Sequence, residues 1–323
     1  MIYFTIKAGE AVELPATGNI PRQVHLFNED SINAVNAALA ANRPLLVRGE
    51  PGTGKTQLAR AVAKELGWAY VHESIDSSSV ASDLLYRADS ITRLGEAQVM
   101  ALSLKNEEKD HVAAVRAILD EKQFIHPGPL WWAFNWELAQ KQATIVRTES
   151  PPQPDGGDYN KGCVLLIDEI DKADTDLPNG LLEAFGNGRF RPPAFDKPIF
   201  KNDRPLLVVI TTNEERSLPD AFLRRCLVLL LKVDEDTLID FLVARGKAHF
   251  DGDIDEIVLR EAAVQLQEDR IFWKAKNLCA PGVAEYLDLV RAVKNMISDT
   301  GEQMAILRKI KKFVLKKHPE ALT

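Results

Sequence analysis

The chain has few of the residues that mark secreted, zinc-binding or membrane-spanning proteins. It contains only 3 cysteines, Cys163, Cys226 and Cys279, and none of them forms a CxxC pair. Because they are odd in number and far apart, they predict reduced, buried thiols and a cytoplasmic protein. No apolar run approaches the roughly 20 residues of a membrane helix. The N-terminus lacks the basic start and small-residue cleavage site of a signal peptide, so we expect no membrane association.

The chain also lacks an excess of positive charge. The formal net charge is −7, whereas proteins that coat nucleic acid rely on basic patches to displace counterions. The 6 histidines are scattered, with no HExxH and no partner cysteines, so we expect them to be structural or exposed. The hydrophobic share of 46% and the charged share of 27% are ordinary for a globular protein long enough for two domains.

Residues 49–56 form a complete phosphate-binding loop, Gly-Glu-Pro-Gly-Thr-Gly-Lys-Thr. The run 44–48 before it predicts a short buried strand, and 57–66 after it predicts an amphipathic helix that stops at Gly67. This context favours a nucleotide site over an incidental glycine turn. We expect ATP to be bound by Gly49, Glu50, Pro51, Gly52, Thr53, Gly54, Lys55, Thr56 and Gln57.

The residue types of this loop fit the chemistry of a triphosphate. Glycines at positions 49, 52 and 54 let backbone N–H groups curl around phosphate oxygens at positive φ. The loop leads into a helix N-terminus, which carries about half a positive charge. Lys55 is expected to reach the β- and γ-phosphates, and the Thr56 hydroxyl is expected to bind Mg²⁺.

Apolar runs predict four further strands and several helices around this loop. The strands fall at 69–73, 163–167, 206–211 and 227–231; the last three are near-continuous Val, Ile and Leu, as in parallel strands covered on both faces. Residues 1–24 predict an edge strand with a loop, and 31–42 predict an amphipathic helix. The least regular stretch, an insertion at about 83–162, contains a charged helix around 109–121 and a turn-rich loop at 151–157. Its tryptophans are expected in the core rather than on a partner-binding surface; they are Trp131, Trp132 and Trp136.

Beyond residue 233 the pattern is helical alone. Apolar residues recur at helical spacing, clearest at Val283, Tyr286, Leu287, Val290, Val293 and Ile297. We therefore predict an α/β fold, with a five-stranded parallel sheet flanked by helices over 1–233, followed by a small all-helical domain over 234–323.

Two adjacent acids close the predicted strand at 163–167. Asp168 is expected to orient Mg²⁺, and Glu169 to polarise the water that attacks the γ-phosphate. Because successive strand residues point to opposite sides, the two acids are predicted to hold different roles. Asn213 ends the strand at 206–211 and is expected to hold the attacking water.

Two arginines, Arg224 and Arg225, end a short predicted helix just before the strand at 227–231. If one of them reaches the nucleotide of a neighbouring subunit, it becomes an arginine finger, which raises the rate roughly 10³- to 10⁵-fold. The alternative is a helix C-terminus neutralised by cations, a modest dipole effect.

Taken together, these motifs resemble those of the AAA+ ATPases over residues 28–300, and within them the MoxR-like branch. Residues 168–173, Asp-Glu-Ile-Asp-Lys-Ala, are similar to that branch's Walker B extension, Asp-Glu-Ile-Asn-Arg-Ala, although Asp171 and Lys172 depart from it. Leu181–Phe185 with Gly188–Phe190 resembles the branch's next helix and hairpin, and 127–130 its Gly-Pro-hydrophobic element.

The resemblance implies a role for several residues and for the assembly. It places Asn213 at sensor 1 and Arg225 at the arginine finger, with Arg224 as the alternate. It also implies a ring, commonly a hexamer, that uses Mg²⁺ and ATP to remodel a protein partner, often one with a von Willebrand A domain. The family's lid arginine is missing, because Ala280-Pro281-Gly282 stands in its place. Lys274 or Lys276 is a possible substitute, although a lysine cannot fork onto phosphate.

Other functions are less favoured by the sequence. A nucleic-acid motor or loader would use the C-terminal cations Arg308, Lys309, Lys311, Lys312, Lys316 and Lys317. These alternate with Leu307, Ile310 and Val314 at helical spacing, which favours the solvated face of a last lid helix. A nucleotide-gated scaffold with little hydrolysis is less favoured because Glu169, Asn213 and Arg225 are all present.

Overall fold

The computed structural model describes residues 4–17, 21–103, 118–250, 252–276, 278 and 280–315. Five parallel strands form the central sheet: β3 (Leu45–Gly49), β4 (Trp68–Ser74), β7 (Asp158–Asp168), β10 (Leu206–Thr212) and β11 (Leu227–Leu231). Their order across the sheet is β11-β3-β10-β7-β4. The predicted five-stranded parallel sheet is thereby confirmed.

The middle of the sheet is apolar on both faces. In β7, each residue from Val164 to Ile167 is 0% exposed. Val71 of β4 and Val208 of β10 both pair with Leu165 in parallel register. Near-continuous Val, Ile and Leu runs suit such strands, because neither face meets water.

Three pairs of short antiparallel strands lie outside the central sheet. They are β1 (Ala11–Leu14) with β2 (Gln23–Leu26), β5 (Tyr86–Ala88) with β6 (Ile125–Pro127), and β8 (Arg189–Phe190) with β9 (Ile199–Phe200). The strand predicted before residue 24 is β1, which pairs with β2 in a sheet of its own. β1 alternates exposed and buried residues, with Val12 and Leu14 inward, and this alternation suits an antiparallel pair with one solvated face.

Eight helices of the described residues precede residue 233. They are α1 (Glu29–Ala41), α2 (Lys55–Leu66), α3 (Ala81–Leu85), α4 (Ser90–Ser103), α5 (Pro129–Phe134), α6 (Trp136–Ile145), α7 (Asp176–Asn187) and α8 (Asp220–Leu223). Short 3₁₀ turns occupy Glu121–Phe124 and Ile170–Lys172. Most of the charged helix predicted around 109–121 lies outside the described residues.

The tryptophans of the predicted insertion belong to the core, as predicted. Trp131 meets the rings of Phe190 and Phe195 edge-on, and Trp136 stacks on Tyr159 at 5.4 Å. Cys163 and Cys226 are buried free thiols, as expected. Burial raises the pKa of Cys163 to about 12, which makes it an unreactive thiol.

Four helices follow residue 233: α9 (Leu238–Phe250), α10 (Glu256–Ala275), α11 (Val283–Met296) and α12 (Thr300–Val314). They share a hydrophobic core. Of the predicted apolar positions, those from Val283 to Val293 are buried, whereas Ile297 caps the end of α11. Leu307 faces this core, while Arg308 lies 3.6 Å from Glu261 at the surface; Lys316 and Lys317 lie outside the described residues.

The contacts divide the chain into two compact units. The main segments of the first are Ala34–Leu46 and Val62–Val228; the second comprises Thr5–Asn33, Val47–Ala61 and Leu229–Thr323. The phosphate-binding loop thus belongs to the same unit as the C-terminal helices. Among the described helices, none is long and apolar enough to cross a membrane.

Candidate nucleotide site

The phosphate-binding loop, in the second unit, has the backbone that its sequence predicts. It joins β3 to α2, and Gly49, Gly52 and Gly54 all have positive φ. The Lys55 ammonium donates hydrogen bonds to the carbonyls of Gly49 (2.7 Å) and Glu50 (3.0 Å), and the Thr53 hydroxyl donates to Glu50 O at 2.9 Å. Thr56 and Gln57 lie in the first turn of α2. The loop is therefore closed around its own lysine.

Helix α11 begins directly against this loop. A Cβ added to Gly52 would lie 2.9 Å from the nitrogen of Ala284, and one added to Gly282 would lie 3.0 Å from Pro51 O. In the segment 280–282, to which the resemblance assigns the lid arginine, Gly282 is packed so closely that it has little room for a side chain. Lys276 lies over the Phe272 ring, and Lys274 donates to Glu235 at 2.5 Å.

Arg270 of α10, which sequence reasoning missed, connects the loop to these helices. Its guanidinium, 2% exposed, donates to Glu50 Oε2 (2.9 Å), Glu235 Oε1 (2.8 Å) and Pro281 O (2.8 Å). The hydrogen bond from Arg270 holds the pKa of Glu235 below its usual range. The signal in the sequence was a charged residue at a core position, since Arg270 follows the buried Leu266 by one helical turn.

The first unit carries the acidic residues. Asp168 ends β7 and is only 9% exposed. The Thr211 hydroxyl donates to its Oδ1 at 2.5 Å and accepts from the Glu169 amide at 2.8 Å. His72 Nε2 lies 3.6 Å from its other oxygen. Thr211 and His72 were not predicted as neighbours of Asp168, because only the pairing of the strands brings them next to it.

Glu169 departs from the geometry that strand alternation predicts. Its backbone is left-handed, at φ 59° and ψ 49°, and leads into the 3₁₀ turn at Ile170–Lys172. The prediction that the acids point apart because both lie on a strand is therefore wrong. The strand ends at Asp168, and a turn sets the direction of Glu169.

The carboxylate of Glu169 meets the predicted sensor 1 residue. Asn213 Nδ2 donates to Glu169 Oε1 at 3.1 Å. Lys172 donates to the other oxygen, Oε2, and this hydrogen bond raises the pKa of Lys172. The Glu169 carboxylate and the Asn213 amide, which follow the adjacent strands β7 and β10, are therefore in direct contact.

Asp171 holds the backbone that carries Asn213. It is 2% exposed, and its carboxylate accepts the backbone amides of Asn213 (3.2 Å) and Glu215 (2.9 Å). The sequence could point to Asp171 only through its difference from the asparagine of the motif that 168–173 resembles. Its partners, the amides of Asn213 and Glu215, follow only from the fold.

Arg224 and Arg225 lie just after α8, and both side chains are exposed. Arg225 Nη1 donates to Ala221 O at 3.1 Å, and the Arg224 carbonyl accepts a hydrogen bond from Arg43. In the part of the chain that the structure describes, neither guanidinium forms an ion pair with a carboxylate.

Each unit carries an oxygen donor of the kind that Mg²⁺ accepts. Among the described residues there is no cluster of three or more His, Cys, Asp or Glu side chains that could hold an ion. Mg²⁺ is commonly bound by one or two protein oxygens together with the phosphates of its nucleotide. The Thr56 hydroxyl and the Asp168 carboxylate are ligands of that kind.

The chain was compared with known proteins. It is 35% identical to RuvB-like 2 from Caenorhabditis elegans over 76 residues, which cover 24% of this chain and 17% of that protein. The structure of a RuvB mutant from Thermotoga maritima aligns with 86% of this chain and 66% of its own, at 16% identity and a TM-score of 0.41. A putative ATPase from Cytophaga hutchinsonii aligns with 86% of this chain and 78% of its own, at 13% identity and a TM-score of 0.36.

The family assignment rests on a match to the AAA domain (dynein-related subfamily). That match covers residues 44–226, more than half of the chain, from the strand before the phosphate-binding loop to the end of the α8 region. The chain belongs to the dynein-related subfamily of AAA domains.

Proposed function

We propose that this protein is an oligomeric, Mg²⁺-dependent ATPase of the MoxR-like branch, which uses ATP binding and hydrolysis to remodel or mature a protein partner. The observation that carries the hydrolytic part is the contact between Glu169 and Asn213, at the ends of the adjacent strands β7 and β10. A domain that only binds nucleotide needs Asp168 but has no use for this acid and amide pair.

Each residue then has a defined task. Lys55 would release the carbonyls of Gly49 and Glu50 and bind the β- and γ-phosphates. Thr56 and Asp168 would each offer an oxygen to Mg²⁺, which would neutralise phosphate charge. Glu169 accepts a proton from the attacking water, and Asn213 fixes the position of that water. Arg225, with Arg224 as the alternate, stabilises the transition-state charge in a neighbouring subunit.

The MoxR-like branch is supported by local elements that match its motifs. α7 is followed by the β8–β9 hairpin, as in the branch's helix and hairpin. Gly128 precedes α5, whose first residue is Pro129, as in its Gly-Pro-hydrophobic element. This branch favours a protein substrate, for which a von Willebrand A domain is our first candidate, and a homo-oligomeric, hexameric ring.

ATP turnover by three variants tests the hydrolytic proposal. Lys55→Ala should lose nucleotide binding, since no other cation of the loop replaces its ammonium. Glu169→Gln should keep binding but lose about 10²- to 10⁴-fold in kcat, the usual contribution of a general base. Glu96→Gln, an exposed glutamate of α4, is the matched control and should behave as wild type. Equal kcat in wild type and Glu169→Gln would leave only a nucleotide-gated scaffold.

Adding DNA to the wild type tests the choice of partner. We expect no change in turnover, given the net charge of −7. Stimulation that falls steeply with salt would instead support a nucleic-acid motor.

A further inference from the structure

Two of the buried arginines in the second unit, Arg245 and Arg270, have opposite electrostatic surroundings. Arg270 is neutralised by Glu50 and Glu235. Arg245 of α9, only 6% exposed, forms no ion pair with a described carboxylate, and its Nε has no hydrogen-bond partner there. Its guanidinium lies over the Phe241 ring at 4.7 Å. A buried charge without a counter-charge destabilises the folded protein.

The groups around Arg245 do not supply the missing negative charge. His25 is 3% exposed and its Nδ1 has no hydrogen-bond partner among the described residues. Burial, with the nearby Arg245 and His249, lowers the pKa of His25 to about 3, so its ring is neutral. Burial likewise lowers the pKa of His249, whose ring bonds the Arg245 carbonyl and the Val24 amide. Burial lowers the pKa of Arg245 itself to about 10, which leaves it charged at neutral pH.

This uncompensated cation is directed at the phosphate-binding loop. A Cβ built on Gly54 would lie 3.6 Å from Arg245 Nη1, 3.7 Å from His25 Nδ1 and 3.6 Å from Gln57 Oε1. Gly54 directly precedes Lys55, so these nitrogens border the part of the loop where phosphate oxygens are held. An anion bound there would supply the counter-charge that the protein does not.

We propose that Arg245 binds a phosphate oxygen of the nucleotide held by the loop, so that α9 contributes a cation to the site. This inference rests on the proposed nucleotide binding. Arg245 belongs to none of the motifs that carry the family resemblance; its isolation from acids and its position beside Gly54 identify it. In the free protein the unpaired charge of Arg245 lowers stability, and a bound nucleotide would neutralise it. Binding sites often reduce the stability of the unliganded protein in this way.

The test compares Arg245→Met, Arg245→Lys and Arg270→Met with wild type. Melting temperature is measured without ligand, and affinity is measured by displacement of a fluorescent ADP analogue with ADP or with inorganic tripolyphosphate. Arg245→Met should melt higher than wild type without ligand, because it removes an uncompensated charge while keeping an apolar side chain against Phe241. Its affinity for ADP and for tripolyphosphate should fall by about 10- to 100-fold, as for one charge-assisted hydrogen bond. Arg245→Lys should retain part of the affinity.

Arg270→Met is the matched control, since it removes a buried arginine that is paired. It should melt lower than wild type, because it leaves Glu50 and Glu235 without their partner. Unchanged affinity in Arg245→Met would overturn the inference while leaving the proposed function intact. Weaker ADP binding with unchanged tripolyphosphate binding would also overturn it, because the contact would then be to the base or ribose. A lower melting temperature of unliganded Arg245→Met would show a structural role, and failure of wild type to bind ADP would overturn both proposals.

Discussion

Asp171 holds the loop at Asn213 through backbone amides, and this makes it the clearest positioning residue of the acidic group. Its carboxylate accepts the amides of Asn213 and Glu215, and Asn213 in turn contacts Glu169. Asp171→Ala would leave these part-buried amides without their acceptor, at a cost of about 1 kcal/mol. Because Asn213 would lose its fixed position, kcat should fall while the KM for ATP changes little. Urea unfolding and steady-state ATP turnover measure the two effects.

Asp171→Asn is the conservative comparison, because an asparagine keeps one acceptor oxygen at the same place. It should retain more stability and more turnover than Asp171→Ala. If Asp171→Ala loses stability but keeps its kcat, Asp171 serves only the packing of the loop and does not position Asn213.

At this scale the sequence predicts residues whose role is set by a local motif. Lys55, Asp168 and Asn213 were placed because a phosphate-binding loop and strand ends have recognisable patterns. Thr211 and Arg270 were missed because they become partners of Asp168 and Glu50 only through strand pairing and helix packing. The placement of Glu169 on the strand was wrong, because β7 ends at Asp168 and the backbone of Glu169 enters a left-handed turn.

Gly128 shows how tightly one element of the first unit is fitted against another. Its φ is an ordinary −82°, but an added Cβ would lie 2.5 Å from Asp83 O and 2.7 Å from Leu84 O. Those atoms are backbone of α3, which cannot move aside as a side chain would. Gly128→Ala should therefore destabilise the protein by about 1–3 kcal/mol, the usual cost of overpacking, measured by urea unfolding.

Gly95 offers the matched control for the same substitution. It lies inside α4, and an added Cβ would meet no atom within 4 Å. Gly95→Ala should stabilise the protein by up to about 1 kcal/mol through higher helix propensity. Similar changes for both variants would mean that the close approach at Gly128 does not determine stability.

Helices and strands with a clear hydrophobic pattern were predicted well, whereas the pairing of the short strands was not predicted. The strand at 227–231 and the helix after the phosphate-binding loop match their predictions closely, because long apolar runs and a glycine stop define them. The strand before residue 24 was predicted, but its pairing with β2 was not, since four residues of alternating pattern do not specify a partner. The buried tryptophans followed from their size and apolar character alone.

For the whole molecule, the fold class followed from the sequence, but the grouping of segments did not. Five apolar strands and a helical end predicted the α/β sheet and the C-terminal helices. The grouping of 47–61 with 229–323 in one unit could not be predicted, because contacts such as Arg270 with Glu50 join residues 220 positions apart. The boundary at residue 233 stays a prediction.

The exposed arginines after α8 allow a test of whether catalysis needs a neighbouring subunit. Arg225 bonds only the carbonyl of Ala221 among the described residues, so its guanidinium is available to a second chain. Arg225→Ala should keep its affinity for ATP and lose about 10³-fold or more in turnover, as for an arginine finger. Arg224→Ala is the comparison, and a larger loss in that variant would make Arg224 the finger.

Mixing Arg225→Ala with Glu169→Gln tests the action in trans directly. Each variant alone lacks one half of every site, but a mixed assembly places an intact Glu169 beside an intact Arg225 from its neighbour. Random mixing at equal amounts should restore about a quarter of the sites, because each site draws its two halves from two independent neighbours. Turnover should then rise above that of either variant and fall on dilution as the subunits separate. If no ratio of the two restores activity, the finger does not act between subunits, and hydrolysis must be completed within one chain.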